Sequence, residues 1–110
     1  MTCERIAPPV ALVAGFRLAV LGGADLSNAS LRETNVRCAN LVGTSGLYAD
    51  FTGADLYYAR PGNAKLSGAI FANTYIERTI FRRADLSGCD FTGSSGHANF
   101  EGANLKGVIR

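Results

Sequence analysis

From Ala14 to Phe91 the chain counts in fives. Large side chains recur at Phe16, Leu21, Leu26, Leu31, Val36, Leu41, Phe51, Leu56, Leu66, Phe71, Ile76, Phe81, Leu86 and Phe91, with Gly46 and Pro61 alone breaking the series. Two residues before each of these slots sits a small residue, from Ala14 to Cys89 without exception. A strict period of five fits neither an α-helix, at 3.6 residues per turn, nor a flat strand, at two. It does fit a coil of short extended pieces joined by identical sharp turns. One large and one small side chain of each repeat then face the axis, and the other three residues face out. Four such walls close a square, which gives twenty residues per turn.

Residues twenty apart should therefore stack at strand spacing, about 4.8 Å. The resulting ladders are Phe16–Val36–Leu56–Ile76, Leu21–Leu41–Pro61–Phe81, Leu26–Gly46–Leu66–Leu86 and Leu31–Phe51–Phe71–Phe91. Three phenylalanines fall in the last, where ring stacking adds to area burial. Of the 110 residues, 47% are hydrophobic, but much of that is alanine, so the interior is narrow. The length is that of one domain.

The segment 24–28 reads Ala-Asp-Leu-Ser-Asn and 84–88 reads Ala-Asp-Leu-Ser-Gly. Segments 98–102 and 103–107 read Ala-Asn-Phe-Glu-Gly and Ala-Asn-Leu-Lys-Gly. These resemble the A(D/N)LXX signature of the pentapeptide-repeat family. The resemblance implies an all-β fold, a right-handed quadrilateral parallel β-helix of about four to five coils. On that reading residues 1–13 form an N-terminal cap and 14–110 the β-helix. Glycine at 23, 43, 53, 68, 88 and 93, with Asn28, Asn63 and Asn73 in the same slot, suits tight or left-handed corners. Asp and Asn before the large residue are expected to bond neighbouring backbone.

Three irregularities stand out. At Gly46 the core slot is empty, and Leu47 is expected to turn inward through a local bulge. Pro61 offers no backbone N–H, so a ladder hydrogen bond should be missing; a small kink, or a carbonyl left for a partner, would follow. Between Ser94 and His97 the repeat is one residue short, and the pattern resumes at Phe100. Ser94, Ser95 and His97 are not expected to be catalytic, because a clipped turn supplies neither an orienting acid nor an oxyanion hole.

Composition excludes several function classes. Eleven basic residues against nine acidic give a net charge of +2, too balanced to argue for nucleic-acid binding on charge alone. Three cysteines at unrelated spacings (3, 38 and 89) argue against a disulfide framework and for a reducing, cytoplasmic setting. Cys89 is expected inside and inert, Cys38 outside. Neither a Cys/His cluster nor a phosphate loop is present, so no metal, cofactor or catalytic residue is assigned. The apolar stretch 8–23 is interrupted by Arg17 and already follows the period from Ala14, which argues against a signal peptide. No apolar run approaches the ~20 residues that span a bilayer.

What remains is a surface. Counting modulo twenty places Arg37, Tyr57, Tyr58, Tyr75 and Arg78, with Asp55 and Glu77, on one wall, and Arg60, Ile80, Arg82 and Arg83 on the next. Tyr58 and Arg78 should form a cation–π pair. The basic-aromatic patch Arg37, Tyr57, Tyr58, Arg60, Tyr75, Arg78, Arg82, Arg83 is the candidate binding site. Cross-strand ladders that merely cover the sheet are the alternative. The expected function is a non-enzymatic protein-interaction scaffold with an unidentified protein partner. The uncapped C-terminal coil is expected to pair with a second copy. Some members of the resembled family protect or inhibit DNA gyrase by resembling DNA, which makes such mimicry the runner-up; a nucleic-acid-binding module comes third.

Overall fold

A computed structural model describes residues 18–110. The expected cap at 1–13 and the first repeat around Phe16 lie outside the described residues. From Leu18 on, the chain winds as a four-walled coil. Parallel bridges join residues twenty apart: Val20 to Asn40, Asp25 to Ser45, Ser30 to Asp50, Asn35 to Asp55, and so on up to Tyr75 with Ser95. We name the walls by their outward residues. Wall A carries Asn35, Asp55 and Tyr75, and wall B carries Val20, Asn40, Arg60, Ile80 and Asn99. Wall C carries Asp25, Ser45, Lys65 and Asp85, and wall D carries Ser30, Asp50, Ile70 and Asp90. Each wall contributes one bridged residue per coil rather than a continuous strand, because the next turn begins two residues later.

One repeat shows how the backbone groups are satisfied. The Leu26 amide donates to the Ser45 carbonyl in the coil above at 2.6 Å, and the Ser45 amide donates back to Ala24 at 2.8 Å. The Ala29 amide closes the corner on the Leu26 carbonyl at 3.0 Å. The third residue of that four-residue turn, Asn28, has φ 63°. A positive φ there with an i to i+3 bond is the signature of a type II turn. The same geometry recurs at every corner from Gly23 to Gly93.

The expected ladders form the core. Phe71 stacks on Phe51 and on Phe91, with centroids 4.9 Å apart in both pairs and planes within 8°. Phe81 meets Phe71 and Phe91 edge-on. The small slots fill the remaining volume, and their polar atoms are satisfied: the Thr79 hydroxyl donates to the Leu56 carbonyl at 2.7 Å and the Cys89 thiol to Leu66 at 3.0 Å.

At Gly46 the structure corrects the sequence reading. Leu47 does not turn inward; it is 39% exposed. Leu66, one coil up the same ladder, fills the space instead. A Cβ built on Gly46 would meet Leu66 Cδ2 at 2.7 Å. At Pro61 the expected loss is found. In the series of rungs from Val20–Asn40 to Asp90–Ile109, only Arg60–Ile80 is missing, and among the described residues no donor reaches the Ile80 carbonyl.

The shortened repeat is also found. After Ser95 the bridges span nineteen residues: Ile80 to Asn99, Asp85 to Asn104 and Asp90 to Ile109. Phe100 thereby lands above Phe81, stacked at 5.3 Å. The clipped corner depends on Gly96. Its φ is 97°, and an added Cβ would lie 2.6 Å from the Glu77 backbone nitrogen.

Candidate interaction surface

The corner between walls A and B departs from the rule that governs the others. Its left-handed position holds Leu18, Cys38, Tyr58 and Arg78 in successive coils, with φ between 59° and 64°. None is glycine or asparagine. The other three corners each carry a single exception, namely Arg83, Tyr48 and Glu33. A side chain with a Cβ in this conformation costs about 1–2 kcal/mol, so the A/B corner holds that strain in four successive coils and is relieved of it at the clipped corner, where Gly96 takes the positive φ.

Two of these strained residues, Tyr58 and Arg78, belong to a preformed stack. The Arg37 guanidinium lies 4.4 Å from the centre of the Tyr57 ring. Tyr57 stacks on Tyr75, 6.1 Å apart and 6° from parallel, and meets Tyr58 edge-on at 5.2 Å. Arg78 donates to the Tyr58 hydroxyl at 3.2 Å while its guanidinium lies 5.6 Å from that ring. This hydrogen bond is also the main cause that raises the Arg78 pKa. Arg37 Nε is 3.3 Å from Asp55 Oδ2, an ion pair too poorly aligned to count as a hydrogen bond, which leaves that buried nitrogen without a hydrogen-bond partner. The expected Tyr58–Arg78 pair is therefore present. The burial of Tyr57 was not foreseen. Its slot in the repeat faces out, but at 8% exposure it is a covered plate between Arg37 and Tyr75.

Five of the eight expected patch residues thus form one contact network: Arg37, Tyr57, Tyr58, Tyr75 and Arg78. Arg60, Arg82 and Arg83 are not part of it. Arg60 lies exposed at the centre of wall B, and Arg82 and Arg83 lie at the B/C corner beyond. Arg82 Nε pairs with Glu101 Oε1 at 3.0 Å. Counting in twenties misses this partner, whereas counting nineteen past the clipped corner finds it. Arg83 packs against the neighbouring corner; a Cβ on Gly102 would lie 3.1 Å from its Cγ.

The remaining polar groups are mostly structural. Asp25, Asp50, Asp85 and Asp90 each accept the amide two residues on, at 2.9–3.1 Å. Bonds from Ser27, Thr52, Ser87 and Thr92, respectively, hold their carboxyls below the usual carboxylate value. Among the described residues no cluster of His, Cys, Asp and Glu could hold a metal ion, and no helix is long and apolar enough to cross a membrane. Cys89 is buried, which pushes its thiol up to about 12. Cys38 corrects the sequence reading. It is 8% exposed rather than outward, and it is disulfide-bonded, against the expectation of reduced thiols.

A family model for pentapeptide repeats matches eight copies, which together run over residues 16–95. The chain belongs to the pentapeptide-repeat family. Among solved structures it is similar to the pentapeptide repeat protein Rfr23 from the cyanobacterium Cyanothece 51142, with TM-score 0.68 and 28% identity over 83% of this chain. The match takes in 59% of Rfr23, so this chain spans little more than half of that relative. A pentapeptide repeat protein from the Arabidopsis thaliana thylakoid lumen matches with TM-score 0.51 and 29% identity, over 90% of this chain and 68% of its own. QnrB1, a plasmid-mediated fluoroquinolone resistance protein, matches at TM-score 0.60 and 22% identity, over 88% of this chain and 62% of its own, a likeness of fold alone. No curated protein matches the chain by sequence.

Proposed function

We propose that this pentapeptide-repeat protein is a non-enzymatic interaction scaffold, a right-handed coil that engages another protein through its A/B corner and the adjoining wall B. The supporting observation is the run of side chains at four successive left-handed positions of that corner, Leu18 to Arg78, joined to the Arg37–Tyr57–Tyr75 and Arg78–Tyr58 stacks. Aromatic and arginine residues are enriched in interfaces. A stack already assembled in the free protein also lowers the ordering cost of binding. Mimicry of DNA draws no support from the charges. Duplex DNA presents one negative charge about every 1.7 Å, whereas this chain is net positive and Lys65 and Ile70 interrupt the aspartates of walls C and D.

Affinity capture tests the reading. Wild type is compared with Arg78→Glu/Arg82→Glu/Arg83→Glu and with Arg32→Glu/Lys65→Glu/Lys106→Glu, which changes charge equally elsewhere. A partner kept by the second variant and lost by the first supports it. Identical partner sets for all three proteins refute it.

A further inference from the structure

Among the described residues uncapped amides occur on the other walls too, at Arg32, Ser67, Ala72 and Glu77, but only wall B leaves two in successive coils and lacks a rung between them. At Asn40 and Asn99 the side-chain oxygen accepts the amide two residues on, from Val42 at 3.1 Å and Glu101 at 2.9 Å. In the two coils between, the capping slot holds Arg60 and Ile80, neither of which can accept. Among the described residues the amides of Gly62 and Arg82 have no hydrogen-bond acceptor, and the Ile80 carbonyl has no donor because Pro61 offers none. These unfilled donors sit beside Arg60 and Arg83, for which no ion pair is formed among the described residues. Arg82, at the same corner, already holds one carboxylate, that of Glu101. Ile80 is a β-branched apolar group at the centre of the wall, half-buried among cations.

We infer that wall B docks an acidic segment of a partner protein, with an apolar side chain seated on Ile80 and flanking carboxylates on Arg60 and Arg83. One carboxylate accepts the exposed Arg82 amide and lies beside the buried Gly62 amide, supplying from outside the cap that Asn40 and Asn99 supply to their own coils. Charge-assisted bonds of this type are short and strong. The inference rests on the scaffold reading and gives its partner a chemistry.

Single-stranded nucleic acid fits less well. Base stacking along a strand needs several open aromatic faces, yet Tyr57 lies between Arg37 and Tyr75 and Arg78 lies over the Tyr58 ring, which leaves Tyr75 as the one exposed ring of the patch. Asp55, Glu77 and Glu101 also interrupt the basic surface, which suits discrete carboxylates better than a continuous phosphate chain.

The probe is a synthetic seven-residue peptide with three glutamates on each side of a leucine, titrated into the isotopically labelled protein and followed by amide chemical shifts. The Gly62 and Arg82 amides are expected to move most. Arg60→Glu/Arg83→Glu should weaken binding about tenfold or more, and Lys65→Glu/Lys106→Glu by less than about twofold. Ile80→Asn, which supplies an internal cap and removes the apolar seat, should weaken binding while the melting temperature holds or rises. Glu101→Gln should tighten it by freeing Arg82. Failure of the peptide to bind, unmoved Gly62 and Arg82 amides, or equal losses in the two charge-reversed doubles would overturn the proposal. Tighter binding of oligothymidine through the same amides would replace it with a nucleic-acid site. If peptide binding fails while capture still loses a partner in the Arg78/Arg82/Arg83 variant, the scaffold stands and only the acidic chemistry falls.

Discussion

Gly46 and Leu66 form a pair whose energies should not add. Leu66 Cδ2 occupies the space that a Cβ at Gly46 would need, at 2.7 Å. Leu66→Ala alone removes a buried side chain and should cost about 2–5 kcal/mol. Gly46→Ala alone pushes a methyl into a filled site, at about 1–3 kcal/mol for overpacking, reduced by about 0.4–1 kcal/mol because alanine restricts the unfolded chain. In the double variant the leucine is gone, and the new methyl enters part of the space it leaves. The clash disappears and the cavity shrinks. The double should therefore be about 1–2 kcal/mol more stable than the sum of the singles predicts, within the range seen for residues in contact. Urea unfolding followed by circular dichroism measures all four corners of the cycle, with an unchanged slope confirming comparable transitions. Leu47→Ala is the control. As an exposed residue it should shift stability by no more than about 0.5 kcal/mol. Additivity within about 0.5 kcal/mol, or a large loss at Leu47, would refute the view that Leu66 fills the gap.

Three further outcomes are expected. Because their folded pKa values are depressed, Asp25, Asp50, Asp85 and Asp90 contribute stability that is present above the ordinary value of 3.8 and is lost as pH falls through the lower folded values. Asp85→Asn, which keeps an acceptor but cannot titrate, should flatten the acid limb of stability against pH; an unchanged limb would show that this cap contributes nothing to acid unfolding. Gly96→Ala should destabilise by about 2 kcal/mol or more, since its Cβ would strike the Glu77 backbone at a left-handed φ, and a melting temperature equal to wild type would contradict that geometry. Cys89, with its thiol raised to about 12, should resist maleimide in the folded protein and react once urea unfolds it, as mass spectrometry of the tryptic peptide can follow.

The period of five made the core legible because side-chain direction in a coil is fixed by position in the repeat. Phe51, Phe71 and Phe91 stack as their spacing requires. Capping by Asp25, Asn40 and Asp85 was legible for the same reason. Gly46 was misread because its filler lies twenty residues away rather than next in sequence, so the ladder and not the neighbour had to be consulted. The left-handed Tyr58, Arg78 and Arg83 were hidden because local preference argues against them. The coil imposes the turn, and the residue follows at a cost. Tyr57 was misplaced because its slot faces out in an ideal repeat. Its burial comes from Arg37 and Tyr75, neighbours on the outside surface that inward-facing periodicity does not describe.

The clipped corner between Ser95 and Asn99 has a consequence for how such chains can change length. Beyond it the rungs re-form at a spacing of nineteen, and Phe100 settles onto Phe81 as if nothing had been removed. Loss of a single residue in an ordinary strand turns every later side chain to the wrong face. Here the missing residue is absorbed where the chain changes direction, so the frame is reset within one bend. A coil of this kind can tolerate deletions at its bends that its flat walls could not, provided a glycine such as Gly96 stands at the point of closest approach.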